Sequence, residues 1–212
     1  MDRYKKLLLN NEAWVSEKLN LDKDFFTKQS AGQKPPFLWI GCADSRVTPD
    51  EITGTHSGDM FVHRNIANLV SHADLNLMSV LEYGVLSLEV DHIIVCGHTN
   101  CGGVKAALGH RKLGIIDKWI RGIKDVYHDH RDELDGIEDE KEQWDKLVEL
   151  NVHEQVVNLA KTSFVQKRWA KGEFPVLHGW VYHLEDGHLQ SVCNISKDDP
   201  IDPIYKYDFS EE

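Results

Sequence analysis

The stretch FLWIGCADSRV, residues 37–47, ends an apolar run in Cys42, Asp44 and Arg46, a thiol, a carboxylate and a guanidinium within five residues. A second segment, CGHTNCGG at residues 96–103, sets His98 and Cys101 in a His-x-x-Cys turn. That spacing is short enough for one metal ion to bridge a ring nitrogen and a thiolate. Cys42, His98 and Cys101 together offer two thiolates and an imidazole, a donor set that suits zinc. Side chains alternate along an extended chain, so Asp44 can face the same side as Cys42, with Arg46 continuing the row. Gly97, Gly102 and Gly103 let the backbone come close to such a centre. A cysteine at a strand end is by itself more often a packed thiol, and an isolated histidine more often a hydrogen-bonded loop residue. Two ligand-type clusters ending successive core strands favour the metal. Asp44 has two jobs open to it, ligating the metal or accepting a proton, and a bidentate pair with Arg46 would hold it off the metal.

The elements that must position these residues read as a mainly parallel α/β sheet flanked by helices, with an antiparallel edge strand and an N-terminal helical arm. FLWIGC and DHIIVCGH are short apolar runs bounded by turn signals, as buried parallel strands are. Ligands gather beyond the carboxyl ends of such strands, where both chemical segments sit. Residues 2–19 carry a loose apolar helical stripe. VTPDEIT starts a short helix with Thr48 as N-cap and Pro49 at its first position. ADLNLMSVLEYGVLSLEV reads as a mostly buried helix, including Leu75 and Tyr83. Residues 103–109 and 115–130 read as helical, and 140–172 as one long helix or two. FPVLHGWVYHLEDGHLQSVCNIS is a hairpin turning at Glu185-Asp186-Gly187. The whole reads as one domain over 1–212, with an arm at 1–34, a metal-binding core at 35–195 and an acidic tail at 196–212. Cys96 and Cys193 read as core.

With 24 basic and 35 acidic residues among 212 the net charge is −11, which argues against nucleic acid or an anionic membrane as the partner. The acidic run RDELDGIEDEKE reads as a solvated loop and helix start. No stretch approaches the ~20 apolar residues of a spanning helix, and the N-terminal apolar segment is too short for a signal peptide. Four cysteines are too few to staple a chain of this length, so the expected setting is the reducing cytoplasm.

The pieces CADSRV, FVHRNIAN, EYGV, CGHTNCGGV and LHGWVY, in this order and spacing, resemble the β-class carbonic anhydrases over most of the chain. The resemblance implies a zinc enzyme that interconverts carbon dioxide and bicarbonate, assembled as a homodimer or homotetramer. It implies one zinc ion held by Cys42, His98 and Cys101, and a catalytic dyad of Asp44 and Arg46. It extends to a bacterial subgroup in which the carboxylate equivalent to Asp44 moves on and off the metal with pH and bicarbonate. Trp39, Arg64 and Tyr182 match that subgroup's non-catalytic bicarbonate site. On residue type alone Trp39 and Tyr182 read as core and Arg64 as a structural ion-pair residue. Gln33, Phe61, Ile66, Tyr83 and Gly102 match its substrate pocket, partly supplied by a neighbouring subunit, whereas plain core packing is the alternative for Phe61, Ile66 and Tyr83. Two other activities fit the same motifs: hydrolysis of carbon disulfide or carbonyl sulfide, and non-catalytic sensing of bicarbonate.

Overall fold

Short apolar runs form strands and amphipathic ones form helices, and the computed structural model describes residues 2–172 and 174–210. The chain divides into two compact units, residues 1–34 and 35–212. In the first, α1 (Arg3–Leu21) is followed by α2 (Phe25–Ser30). Asp2 caps α1 by accepting the Tyr4 N–H, and Trp14 meets Phe25 and Phe26 edge to face. Tyr4, Leu7 and Leu8 stand exposed along α1.

The second unit runs in order β1 (Phe37–Cys42), α3 (Pro49–Thr53), β2 (Met60–Asn65), α4 (Leu75–Glu82), β3 (His92–His98) and α5 (Gly102–Leu108). There follow α6 (Ile116–Trp119), α7 (Arg121–Asp129), α8 (Arg131–Asp135), α9 (Glu140–Ala160), α10 (Ser163–Trp169), β4 (Val176–Tyr182) and β5 (Leu189–Ile195). The five strands pair in the order β2-β1-β3-β4-β5, parallel except for β5, which runs antiparallel to β4. This is the expected mainly parallel sheet with its antiparallel edge. The order reverses between β1 and β3, because the chain leaves β1 toward one edge and β3 toward the other. Side chains at the carboxyl ends of those two strands therefore share a crevice that no crossover covers.

One face of the sheet packs Leu38, Ile40, Ile93, Val95 and Leu177 against α4, α9 and α10. Helix α9 is the main support. Asp139 caps it through the N–H groups of Lys141 and Glu142, and Leu147, Val148, Val152, Val156 and Leu159 are buried along it. It lies so close to the sheet that a Cβ on Gly97 would meet Val152 Cγ2 at 2.6 Å, and one on Gly179 would meet Val152 Cγ1 at 2.9 Å. The opposite face carries Trp39, Ile94 and Cys96, with Val47, Trp180 and Tyr182.

Several local expectations are corrected. Thr48 and Pro49 take the N-cap and first-turn positions of α3 as expected, but the Thr48 side chain accepts no backbone N–H there and its hydroxyl donates to Glu51 Oε2 at 3.0 Å. Leu75 and Tyr83 are exposed, not buried, because α4 turns only its Leu77 and Leu81 side to the core. Other expectations hold: 115–130 is helical, as α6 and α7 meeting at Ile120, and 140–172 forms two helices that part at Thr162, whose side chain caps α10. The tail makes one tight turn, Pro203–Tyr205, tied to α10 by Gln166 through Tyr205 O and the Tyr207 N–H. Among the described residues no helix is long and apolar enough to cross a membrane.

Candidate metal centre

Cys42 ends β1, His98 ends β3, and Cys101 stands one residue before α5, each of them buried. Their ligand atoms lie within 4.8 Å of one another, with the two sulfurs 4.0 Å apart. A tetrahedral zinc ion with bonds of about 2.3 Å to sulfur would set two sulfurs about 3.8 Å apart, so the thiols need almost no movement to hold one. The histidine is aimed as well. Its Nδ1 lies 2.8 Å from the Thr99 carbonyl, which can only accept, so Nδ1 carries the proton and Nε2 presents its lone pair. That buried Nε2 has no hydrogen-bond partner among the described residues. A buried lone pair facing two sulfurs is what a thiophilic cation requires, and the donor set fits zinc.

The two thiols do not ionise alike. Cys42 is drawn down because it accepts the hydrogen bond of Cys101, helped by the N–H groups of Asp44 and Ala67, while burial opposes the change. Cys101 is pushed up by that same thiolate and by burial, and the N–H groups of Gly103 and Val104 offset only part of this. The pair thus holds a single negative charge until a cation draws off the second proton. Outside this cluster burial pushes Cys96 up, and Cys193 up to about 11, in keeping with their reading as packed thiols.

Asp44 Oδ2 lies 3.9 Å from His98 Nε2, so the carboxylate reaches the rim of the cluster. Arg46 grips it with Nε at 2.9 Å from Oδ1 and Nη2 at 2.8 Å from Oδ2, while the Arg46 N–H adds a third bond at 3.0 Å. These hydrogen bonds hold the Asp44 carboxyl far below the usual carboxylate range, chiefly through the guanidinium. Among the described residues Arg64 does not form the ion pair expected of a structural arginine. Its guanidinium donates to the carbonyls of Cys42 and Asp44, tying β2 to the chain on either side of Ala43. Trp39 is fully buried, with its indole laid over Gly41 so closely that a Cβ there would meet Nε1 at 2.2 Å. That Nε1 has no partner among the described residues, and Tyr182 belongs to the same apolar cluster.

The pocket residues separate. Ile66 Cγ2 would meet a Cβ on Gly103 at 3.0 Å, so it flanks the turn after Cys101, and Gly102 opens into free space. Phe61 and Tyr83 pair with each other at 5.8 Å between ring centroids. Phe61 lies in register with Leu38, four residues before Cys42, or about 13 Å down the strand, so its own chain does not bring it to the thiols. Ile66 and Tyr83 are 42% and 47% exposed, which excludes plain core packing for both. Gln33 belongs to the first unit and is exposed.

Residue types alone do not reveal the loop after β2. Ala67 and Asn68 take left-handed conformations, with φ of 62° and 48°, which cost a non-glycine residue roughly 1–2 kcal/mol each. The result is an Ala67 N–H 3.4 Å from Cys42 Sγ. Buried amides of α9 hold the loop in place. Asn151 Nδ2 donates to the Ala67 carbonyl, Gln155 Nε2 donates to Asn151 Oδ1, and Gln155 Oε1 accepts the Val70 N–H at 2.7 Å. Asn65 brackets the loop through Leu69 N and O, and Trp119 donates to the Ile66 carbonyl.

Fold and site thus define an α/β protein with a buried Cys-His-Cys cluster, able to hold a metal ion, at the reversal point of its sheet. Residues 37–189 match the carbonic anhydrase family. A carbonic anhydrase of Emericella nidulans is 51% identical over 187 residues, covering 88% of this chain and 82% of the relative. A crystal structure of tetrameric β-carbonic anhydrases from Sordaria macrospora superposes with a TM-score of 0.85 at 38% identity, covering 91% of this chain and 98% of the other. The Coccomyxa β-carbonic anhydrase in complex with acetazolamide gives 0.88 at 40% identity, covering 92% and 89%. The chain belongs to the β-carbonic anhydrase family, enzymes that catalyse the hydration of carbon dioxide.

Truncating Asn151 to alanine takes the side-chain donor from the buried Ala67 carbonyl and the acceptor from Gln155 Nε2, at an expected cost of about 1–3 kcal/mol in urea denaturation. A loss below about 0.5 kcal/mol, the size of an ordinary surface change, would show that the amides do not hold the loop.

Proposed function

We propose that Cys42, His98 and Cys101 hold one zinc ion per chain and that Asp44 and Arg46 serve the reversible hydration of carbon dioxide beside it. The reading rests above all on the meeting of two sulfurs and the His98 Nε2 lone pair within 4.8 Å at the ends of β1 and β3. Zinc, when bound, supplies a Lewis acid that acidifies a water molecule at near-neutral pH. The protein's own groups do the rest. Asp44, ionised and clamped by Arg46, accepts a hydrogen bond or a proton at the rim of the site. The N–H groups of Ala67, Gly103 and Val104 face the sulfurs and draw negative charge from them, which keeps a thiolate-rich centre acidic enough for this task.

Asp44 would also serve as a gate, able to join the residues that hold the metal if its pair with Arg46 breaks and kept from them while the pair stands, under the control of pH and bicarbonate. The support lies in Arg64 and Trp39. A bicarbonate bound between them and Tyr182 would take the unpartnered indole N–H and compete for the guanidinium that now holds the Cys42 and Asp44 carbonyls. Freed of that tie, residues 42–44 can carry the carboxylate inward.

A homodimer or homotetramer completes the picture, since the Sordaria relatives are tetrameric and Phe61, about 13 Å along the sheet from its own Cys42, would serve a metal centre from across an interface between copies. Gln33 keeps its pocket role by resemblance alone, and the reading of residues 1–212 as a single domain rests on chain length and hydrophobic content. The free thiols suit a reducing cytoplasm.

Stopped-flow hydration assays should show turnover that tracks zinc content up to one ion per chain. Asp44→Asn should keep its zinc and lose at least about 10²-fold in kcat; unchanged turnover would remove Asp44 from the chemistry. For the gate, Trp39→Phe deletes the indole donor and should leave the enzyme several-fold less sensitive to added bicarbonate. Equal inhibition of variant and wild type would rule out the bicarbonate site.

A further inference from the structure

A His-x-x-Cys turn is only as rigid as its two middle residues, which are Thr99 and Asn100. Asn100 is left-handed, with φ of 57°, and leads directly into Cys101. Thr99 supplies the carbonyl that orients the His98 ring, so any rotation of the Thr99–Asn100 peptide turns the imidazole. Both residues are held from outside their own loop by the β4–β5 turn. The Thr99 N–H donates to the Tyr182 carbonyl at 3.0 Å, and Thr99 Oγ1 accepts the Leu184 N–H at 2.9 Å. Thr99 Oγ1 then donates to Glu185 Oε2 at 2.6 Å, and Asn100 Nδ2 donates to Glu185 Oε1 at 2.7 Å.

One carboxylate therefore spends both of its oxygens on the two residues between His98 and Cys101. We propose that Glu185 is a positioning residue for the metal centre, setting the bite of that ligand pair from the tip of the hairpin. This rests on the reading of His98 and Cys101 as ligands. The competing account makes Glu185 an ordinary surface acid paired with Lys141, whose Nζ is 3.6 Å away. Such exposed pairs contribute little, and this one orients nothing. Glu185 is half exposed, so replacing it opens no cavity in the core.

The test compares the zinc-loaded wild type with Glu185→Ala, Glu185→Gln and Lys141→Ala. It reads the rate of zinc transfer to a chromophoric chelator and the absorption spectrum of the cobalt(II)-substituted protein. Loss of a group bonded directly to a metal ligand weakens binding by about 10–100-fold, and Glu185 acts one bond further out through Thr99, so Glu185→Ala should release zinc faster by a smaller factor, about 3–10-fold, and shift the cobalt bands. Glu185→Gln keeps the shape but turns one oxygen into a donor, and should fall between; it carries the test if the alanine variant does not fold. Lys141→Ala should behave as wild type. Release within about twofold of wild type in both Glu185 variants, with unchanged cobalt spectra, overturns the proposal and leaves the ligand assignment standing. A release rate raised as much by Lys141→Ala as by Glu185→Ala overturns it too, in favour of the surface pair. A wild type that takes up neither metal overturns the proposal and the ligand assignment together.

Discussion

Two thiols buried 4.0 Å apart cannot both ionise unless a cation lies between them, and the rest of the architecture is arranged around that constraint. Desolvation and mutual repulsion confine the pair to one negative charge, and the adjacent imidazole adds a lone pair with no proton to share. Such a cluster is costly to assemble and is tolerable only where the fold over-determines it. The β2-β1-β3 strand order places Cys42 and His98 side by side, and the turn into α5 returns Cys101 to the same point. Each sulfur then faces backbone N–H groups, from Ala67 on one side and from Gly103 and Val104 on the other.

The supports lie outside the cluster they serve. Helix α9 lies flat on the sheet, admitted by glycines at positions 97 and 179, and its buried Asn151 and Gln155 hold the strained Ala67–Asn68 turn. Arg64 ties the end of β1 to β2 through two carbonyls, so the position of Asp44 is set through its backbone as well as by Arg46. Sulfurs and carboxylate alike are thus held from more than one element of the fold.

Much of this could be read from the residues. The apolar runs at 37–42 and 92–98 give the strands, and the ligand-type residues that end them give the site, because a single thiol or imidazole reads as packing but two such clusters ending successive core strands point to one shared centre. The hairpin at 176–195 follows from its turn sequence. What stayed hidden depends on where backbone groups point. Nothing in the letters of Ala67 marks a left-handed residue aiming an N–H at sulfur, and Thr48 has the profile of a helix cap yet gives its proton to Glu51. Leu75 and Tyr83 match an apolar helical face that the fold leaves exposed. Phe61 lies on the correct strand but at its far end from Cys42, a distinction that only register provides. Glu185 is separated by many residues from the turn it grips and sits in a hairpin tip that sequence marks merely as polar.

The measurement closest to the central claim is zinc K-edge X-ray absorption on the metal-loaded protein. The account predicts two sulfur neighbours at about 2.3 Å and two lighter ones, nitrogen or oxygen, at about 2.0–2.2 Å. A shell with no sulfur, or one built from four sulfurs, would contradict a centre made by Cys42, His98 and Cys101.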